Sequence, residues 1–114
     1  MEDSVSVTEG GDAIVVLITA ASREEADRIA RRLVEDRLAA CVTIMPQVRS
    51  IFTWEQKLSQ EDEVLLLVKS RRARFAQLAE AVKQLHSYSV PEIIALPVVM
   101  GAADYLRWVS ESTS

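Results

Sequence analysis

Ala39–Lys69 reads as an apolar, β-prone arm, AACVTIMPQVRSIFTW (39–54), a polar reversal, EQKLSQED (55–62), and a second apolar arm, EVLLLVK (63–69). Two strand-like runs joined by a short polar connection predict one long β-hairpin. The first arm exceeds the common strand length of about five to six residues. Only Pro46 interrupts it. Proline has no amide to give to a ladder, so Pro46 marks a bulge, bend or exposed edge midway along the arm.

Helix-patterned segments flank the hairpin. Upstream, Ala13–Thr19 (AIVVLIT) is a continuous β-branched run, as expected of a strand covered on both faces. Ser22-Arg23-Glu24-Glu25 has the form of a capping box, in which the serine hydroxyl accepts an amide three residues on and the glutamate reaches back. Ala26, Ile29, Ala30, Leu33 and Val34 then fall on one helical stripe. Downstream, Ser70 is placed to cap a second helix with the stripe Phe75, Leu78, Ala79, Val82 and Leu85, and His86 closes it. Pro91 disfavours helix at Val90, so 87–91 is a turn. Ile93–Val99 is a fourth strand, which Pro97 assigns to an edge or a bulge. Gly101 opens a last helix, and Ser110–Ser114 are expected to fray.

The order β-α-β-β-α-β-α, with right-handed crossovers, gives an α+β, ferredoxin-like β-α-β-β-α-β sandwich with an extra C-terminal helix. Residues 1–12 are expected to be a mobile tail and 13–112 a single domain. The helices shield one sheet face, yet the strands are apolar at both parities: Val16 and Ile18 against Val15 and Leu17, Leu66 and Val68 against Leu65 and Leu67. The second face therefore needs a cover from outside the domain, and a homo-oligomer is the simplest one, with the overlong hairpin arms as inter-subunit strands.

Composition narrows the function. A 114-residue chain that is 49% hydrophobic and 26% charged is an ordinary globular domain. A net charge of −4 argues against a general nucleic-acid binder and against an anionic membrane surface. No apolar run approaches the ~20 residues of a membrane span. Cys41, the single cysteine, has no partner for an internal disulfide, and nothing at the N-terminus has a leader pattern, so a cytoplasmic location is expected. One His, one Cys and glycines only at 10, 11 and 101 supply neither a nucleophile pair nor a phosphate loop. An enzyme is not expected.

LAACV (38–42), the proline four residues later, SIFTWEQKL (50–58), Glu61, Lys69-Ser70, HSYSVPE (86–92) and DYLRW (104–108) together resemble the CutA divalent-ion tolerance proteins. The resemblance runs in order over about residues 13–110. It implies a ferredoxin-like homotrimer similar in architecture to PII signalling proteins, with a role in copper or divalent-ion tolerance. The chain departs at Gln56, where the family usually has Gly, and at Ser87, where it usually has Pro.

The resemblance suggests Cys41 and His86 as copper ligands, a pairing of thiolate and imidazole that suits copper and zinc. The alternatives are a small buried hydrophobe for Cys41 and a dipole-favoured helix end for His86. A second group, Trp54, Glu61, Lys69, Tyr88 and Glu92, matches recurrent family positions. Its two readings are an inter-subunit cleft for a small ligand, as in a PII-like sensor, and a polar network fixing an interface in a trimeric anchor for a partner protein. Lys69, Arg71, Arg72 and Arg74 form a basic cluster at a helix start, read as a solvated face or an anion site.

Overall fold

The computed structural model describes residues 4–114, so the first three residues of the expected tail lie outside the described residues. The elements run β1 (Val7–Glu9), β2 (Ala13–Ala20), α1 (Arg23–Glu35), β3 (Cys41–Trp54), β4 (Lys57–Arg71), a 3-10 turn (Arg72–Arg74), α2 (Phe75–Leu85), β5 (Ile93–Pro97), β6 (Met100–Ala102) and α3 (Ala103–Ser112). Four strands form an antiparallel sheet in the order β3-β4-β2-β5. With α1 and α2 on one face, this is the ferredoxin-like arrangement, and Pro97 sits on an edge strand where its missing amide is tolerated.

The core lies between that sheet face and the two helices: Val16, Ile18, Ile29, Leu33, Leu66, Val68, Leu78 and Val82 are fully buried. Burying one such side chain contributes about 1.5–3 kcal/mol, so this layer carries the domain. Val15, Leu17, Leu65 and Leu67 point to the other face and are half-buried, while Ile94 and Leu96, opposite Leu17 and Val15, are exposed. The α3 helix covers one end of this second face, where Arg71 bonds Thr113. The rest is an apolar, helix-free surface.

The hairpin is longer than its apolar arms. Its reversal is two residues, Glu55 and Gln56, both at positive φ (51° and 66°), the backbone of a type I′ turn. The polar stretch Lys57–Asp62, expected in the connection, is instead strand, paired from Trp54↔Lys57 to Arg49↔Asp62. It escapes the apolar pattern because the outer hairpin projects beyond the sheet and both its faces meet solvent. At Pro46 the register shifts: Met45 opposes Leu65 and Val48 opposes Glu63, leaving Pro46 and Gln47 opposite Val64 alone. That is a bulge.

Three local expectations are corrected. Ser70 caps no helix: its hydroxyl, fully buried at the end of β4, donates to the Leu38 carbonyl at 2.6 Å. Within the expected tail, Val7–Glu9 pair with Met100–Ala102, the residues expected to open the last helix. Gly10 permits this, since a Cβ there would lie 1.6 Å from the Val98 carbonyl oxygen. The C-terminal residues, expected to fray, are instead docked at Thr113. Thr113 is fully buried, and its carbonyl accepts from Arg71 Nη2 (2.6 Å) and Arg74 Nε (2.7 Å). Two arginines of the basic cluster are thus bound to a helix end and not to solvent.

Candidate functional site

His86 ends α2, its amide still bonded to the Val82 carbonyl. Its side chain is 0% exposed. Nε2 lies 2.6 Å from the Thr19 carbonyl, and Nδ1 accepts the Tyr88 amide at 3.0 Å. Because a carbonyl only accepts, the proton resides on Nε2, a tautomer assigned from these bonds. Both nitrogens are therefore engaged, and neither lone pair is free for a metal in this conformation.

Beside the ring lies Glu25, 5% exposed, with Oε1 at 4.0 Å from Nδ1. Ser22 does accept the Glu25 amide at 3.1 Å, as the capping box requires. The carboxylate, however, bridges two chain segments, accepting from the Ala21 amide (2.9 Å) and the Ser87 amide (2.7 Å). Burial alone would raise this carboxyl; the two amides outweigh it and hold it below its ordinary value. Proline at 87 would have no amide to give, so this bond belongs to the serine that departs from the family's usual residue.

Tyr88 follows. Its hydroxyl donates to Glu63 Oε2 at 2.8 Å, and Glu63 is itself buried just beyond the end of β2, where Ala20 faces Val64. Burial first, and then the bond to Glu63, push the Tyr88 hydroxyl up to about 12. Glu63 and Thr19 carry no signal in the sequence, Glu25 carries only its capping pattern, and Ser87 stands out only as the departure from proline.

Cys41 lies elsewhere. It opposes Lys69 on β4, which opposes Val15 on β2, whereas His86 reaches Thr19, four residues further along β2. At about 3.3 Å per residue that separates them by roughly 13 Å along the sheet, besides the strands between. The neighbours of Cys41, Val42 and Ile44, pack on the helix-side core. Cys41 therefore faces the helix-free side, near enough to Tyr105 to add to the burial that raises that hydroxyl. Lys69 Nζ donates to Thr43 Oγ1 at 2.6 Å on the same side. Among the described residues no three His, Cys, Asp or Glu side chains are grouped as a metal site.

One chain does not gather the second group. Trp54, 63% exposed at the hairpin tip, pairs with Lys57, twelve residues from Lys69 on the same strand, or about 40 Å. Glu61 is near enough to act electrostatically on Tyr88, and Glu92 is exposed at the end of the same loop.

Comparison with known proteins gives one consistent result. Residues 14–112 match the family model described as CutA1 divalent ion tolerance protein. A divalent-cation tolerance protein of Thermus thermophilus is 52% identical over 99 residues, 87% of this chain and 96% of that protein. The solved structure of a divalent cation tolerance protein from Thermus thermophilus superposes with a TM-score of 0.88 at 50% identity, covering 90% of this chain and 99% of that one. The structure of the periplasmic divalent cation tolerance protein of Archaeoglobus fulgidus gives 0.87 at 42% identity, covering 90% and 99%.

Proposed function

The chain belongs to the CutA1 divalent ion tolerance protein family, and from that membership we propose that it serves divalent-cation tolerance as a homotrimer that binds copper or a related ion, without catalysis. The observation that carries the assembly is the helix-free sheet face of Val15, Leu17, Leu65, Leu67, Ile94 and Leu96, six contiguous apolar side chains that no helix covers. Cys41 lies on that same face and is the chain's only thiol. Thiolate favours copper and zinc, and because among the described residues no group of three donors includes it, the ion is shared between protomers. His86 is left out of the ligand set, since both its nitrogens are bonded. The free cysteine fits a reducing cytoplasm, although the Archaeoglobus fulgidus relative is named periplasmic.

The second reading is a PII-like small-ligand sensor or a trimeric anchor for a partner protein, with any metal incidental. The exposed Trp54 on a projecting hairpin favours it. Native mass spectrometry of the reduced protein titrated with copper separates the two. The metal reading expects a three-chain mass and saturable uptake near about one ion per chain, lost in Cys41→Ser and retained in His86→Phe. Weak uptake, identical in all three proteins, overturns it and moves the search to the surfaces around Trp54 and Tyr88.

A further inference from the structure

The loop between α2 and β5 carries Tyr88 and Glu92, yet among the described residues no amide or carbonyl of Ser87–Val90 pairs with another backbone group. Side chains must set its path. Two do so from the core: Glu25 accepts the Ser87 amide, and the His86 ring accepts the Tyr88 amide. Each is anchored in turn to the end of β2 or the turn after it, Glu25 by the Ala21 amide and His86 by the Thr19 carbonyl. The residues they hold are consecutive, 87 and 88, so together they fix where the Tyr88 side chain leaves the chain. It leaves toward Glu63, at the hairpin base beside the Pro46 bulge.

We infer that Glu25 and His86 are positioning residues, a buried brace that holds Tyr88 on Glu63 and so ties the α2–β5 loop to the base of the long hairpin. The brace explains why a carboxylate sits in the core. Burying one costs several kcal/mol unless its lone pairs are met, and an apolar residue would fill the space without joining two segments 62 residues apart in sequence. It also gives the only histidine a purpose other than metal binding. The inference rests on the reading of Tyr88 as part of a functional surface only for its use. The brace itself is independent of copper.

Amide hydrogen exchange on the full-length, assembled protein tests it, with Glu25→Gln and His86→Phe beside the unaltered chain. Each variant loses about one hydrogen bond of the brace, so exchange at Tyr88 and its loop neighbours quickens by about tenfold, while the core amides of Val16 and Leu66 keep their rates. Equal acceleration in loop and core would mean that the two residues merely add global stability, and an unchanged Tyr88 amide would mean that they do not hold the loop; either overturns the inference. If a variant fails to assemble, the unaltered protein still decides. The Ser87 and Ala21 amide protons should shift together with the titration of one carboxylate, and a Ser87 amide that follows no carboxylate overturns the brace. Copper uptake in Cys41→Ser tests the metal reading separately, so either idea can fail alone.

Discussion

The Tyr88 hydroxyl meets the Glu63 carboxylate at 2.8 Å, joining a loop that has no backbone pairing over Ser87–Val90 among the described residues to the first buried residue of the inner hairpin. This bond requires the protonated phenol. With its value raised to about 12, Tyr88 binds its proton more tightly folded than unfolded. Its contribution is therefore complete below the ordinary tyrosine range near 10 and is lost as pH rises from there toward 12. Ultraviolet titration should show one of the two tyrosines in DYLRW and HSYSV ionising near 12, and Tyr88→Phe should remove that component. The same variant strands a buried carboxylate oxygen and should cost about 1–3 kcal/mol in denaturant unfolding.

Glu25 has the opposite sign. Its folded value is lowered by the Ala21 and Ser87 amides, so the charged form stabilises the fold above the unfolded carboxyl range near 4.3. That contribution disappears as pH falls through the folded value. Glu25→Gln should be less stable at neutral pH and should lose less on acidification than the unaltered chain. Thermal melts between neutral pH and pH 3 check this, and parallel acid profiles for the two proteins would contradict it.

Arg37 sits at φ 59°, the position after a helix that glycine usually takes. Its guanidinium explains the exception, donating to the Glu111 carbonyl at 2.7 Å and reaching the Ser114 carbonyl at 3.3 Å. Arg37→Ala keeps the strained backbone and loses the tether, whereas Arg37→Gly loses the tether and relieves the strain. The alanine variant should be less stable than the glycine variant by about 1 kcal/mol, the cost of a left-handed side-chain-bearing residue. Urea midpoints at equal m-values decide the order.

The reversal of the long hairpin makes the same argument without a tether. Gln56 lies at φ 66°, and no hydrogen bond of its side chain appears among the described residues. Gln56→Gly should stabilise the hairpin by about 0.5–1 kcal/mol, the left-handed strain relieved less the extra entropy that glycine loses. A lower urea midpoint would mean that Gln56 is held by a neighbouring chain.

Features fixed by near neighbours in the chain were legible. Ser22 accepts the Glu25 amide because the two sit on one helical turn, Pro46 breaks the ladder because it has no amide, and the double parity of AIVVLIT needs no partner to be seen. What escaped depends on distant groups. Ser70 looked like a cap until the Leu38 carbonyl, 32 residues away, took its hydroxyl. The last residues looked loose because Arg37 and Arg71 reach them from 74 and 42 residues away. The resemblance pairs Cys41 and His86 as copper ligands, but within one chain register sets Cys41 beside Lys69 and Val15 while His86, after α2, reaches Thr19 four residues further along β2. Glu25 was hidden by its own capping signal, which accounted for its presence without revealing Ser87.

Leu67 gives the sharpest test of assembly. It lies mid-sheet on the helix-free face, opposite Leu17 on one side and Thr43 on the other, and takes no part in the core between the sheet and α1 and α2. Leu67→Asp therefore leaves the monomer's own core intact while placing a charge in any interface built on this face. If three copies cover it, sedimentation should shift from a three-chain to a one-chain mass, because an unpaired buried charge costs several kcal/mol at each contact. The inner strands should stay folded, with Val16 and Leu66 amides protected although less stable. A three-chain mass retained by Leu67→Asp would show that the subunits join through the sheet edges or the projecting hairpins, leaving this face for another partner.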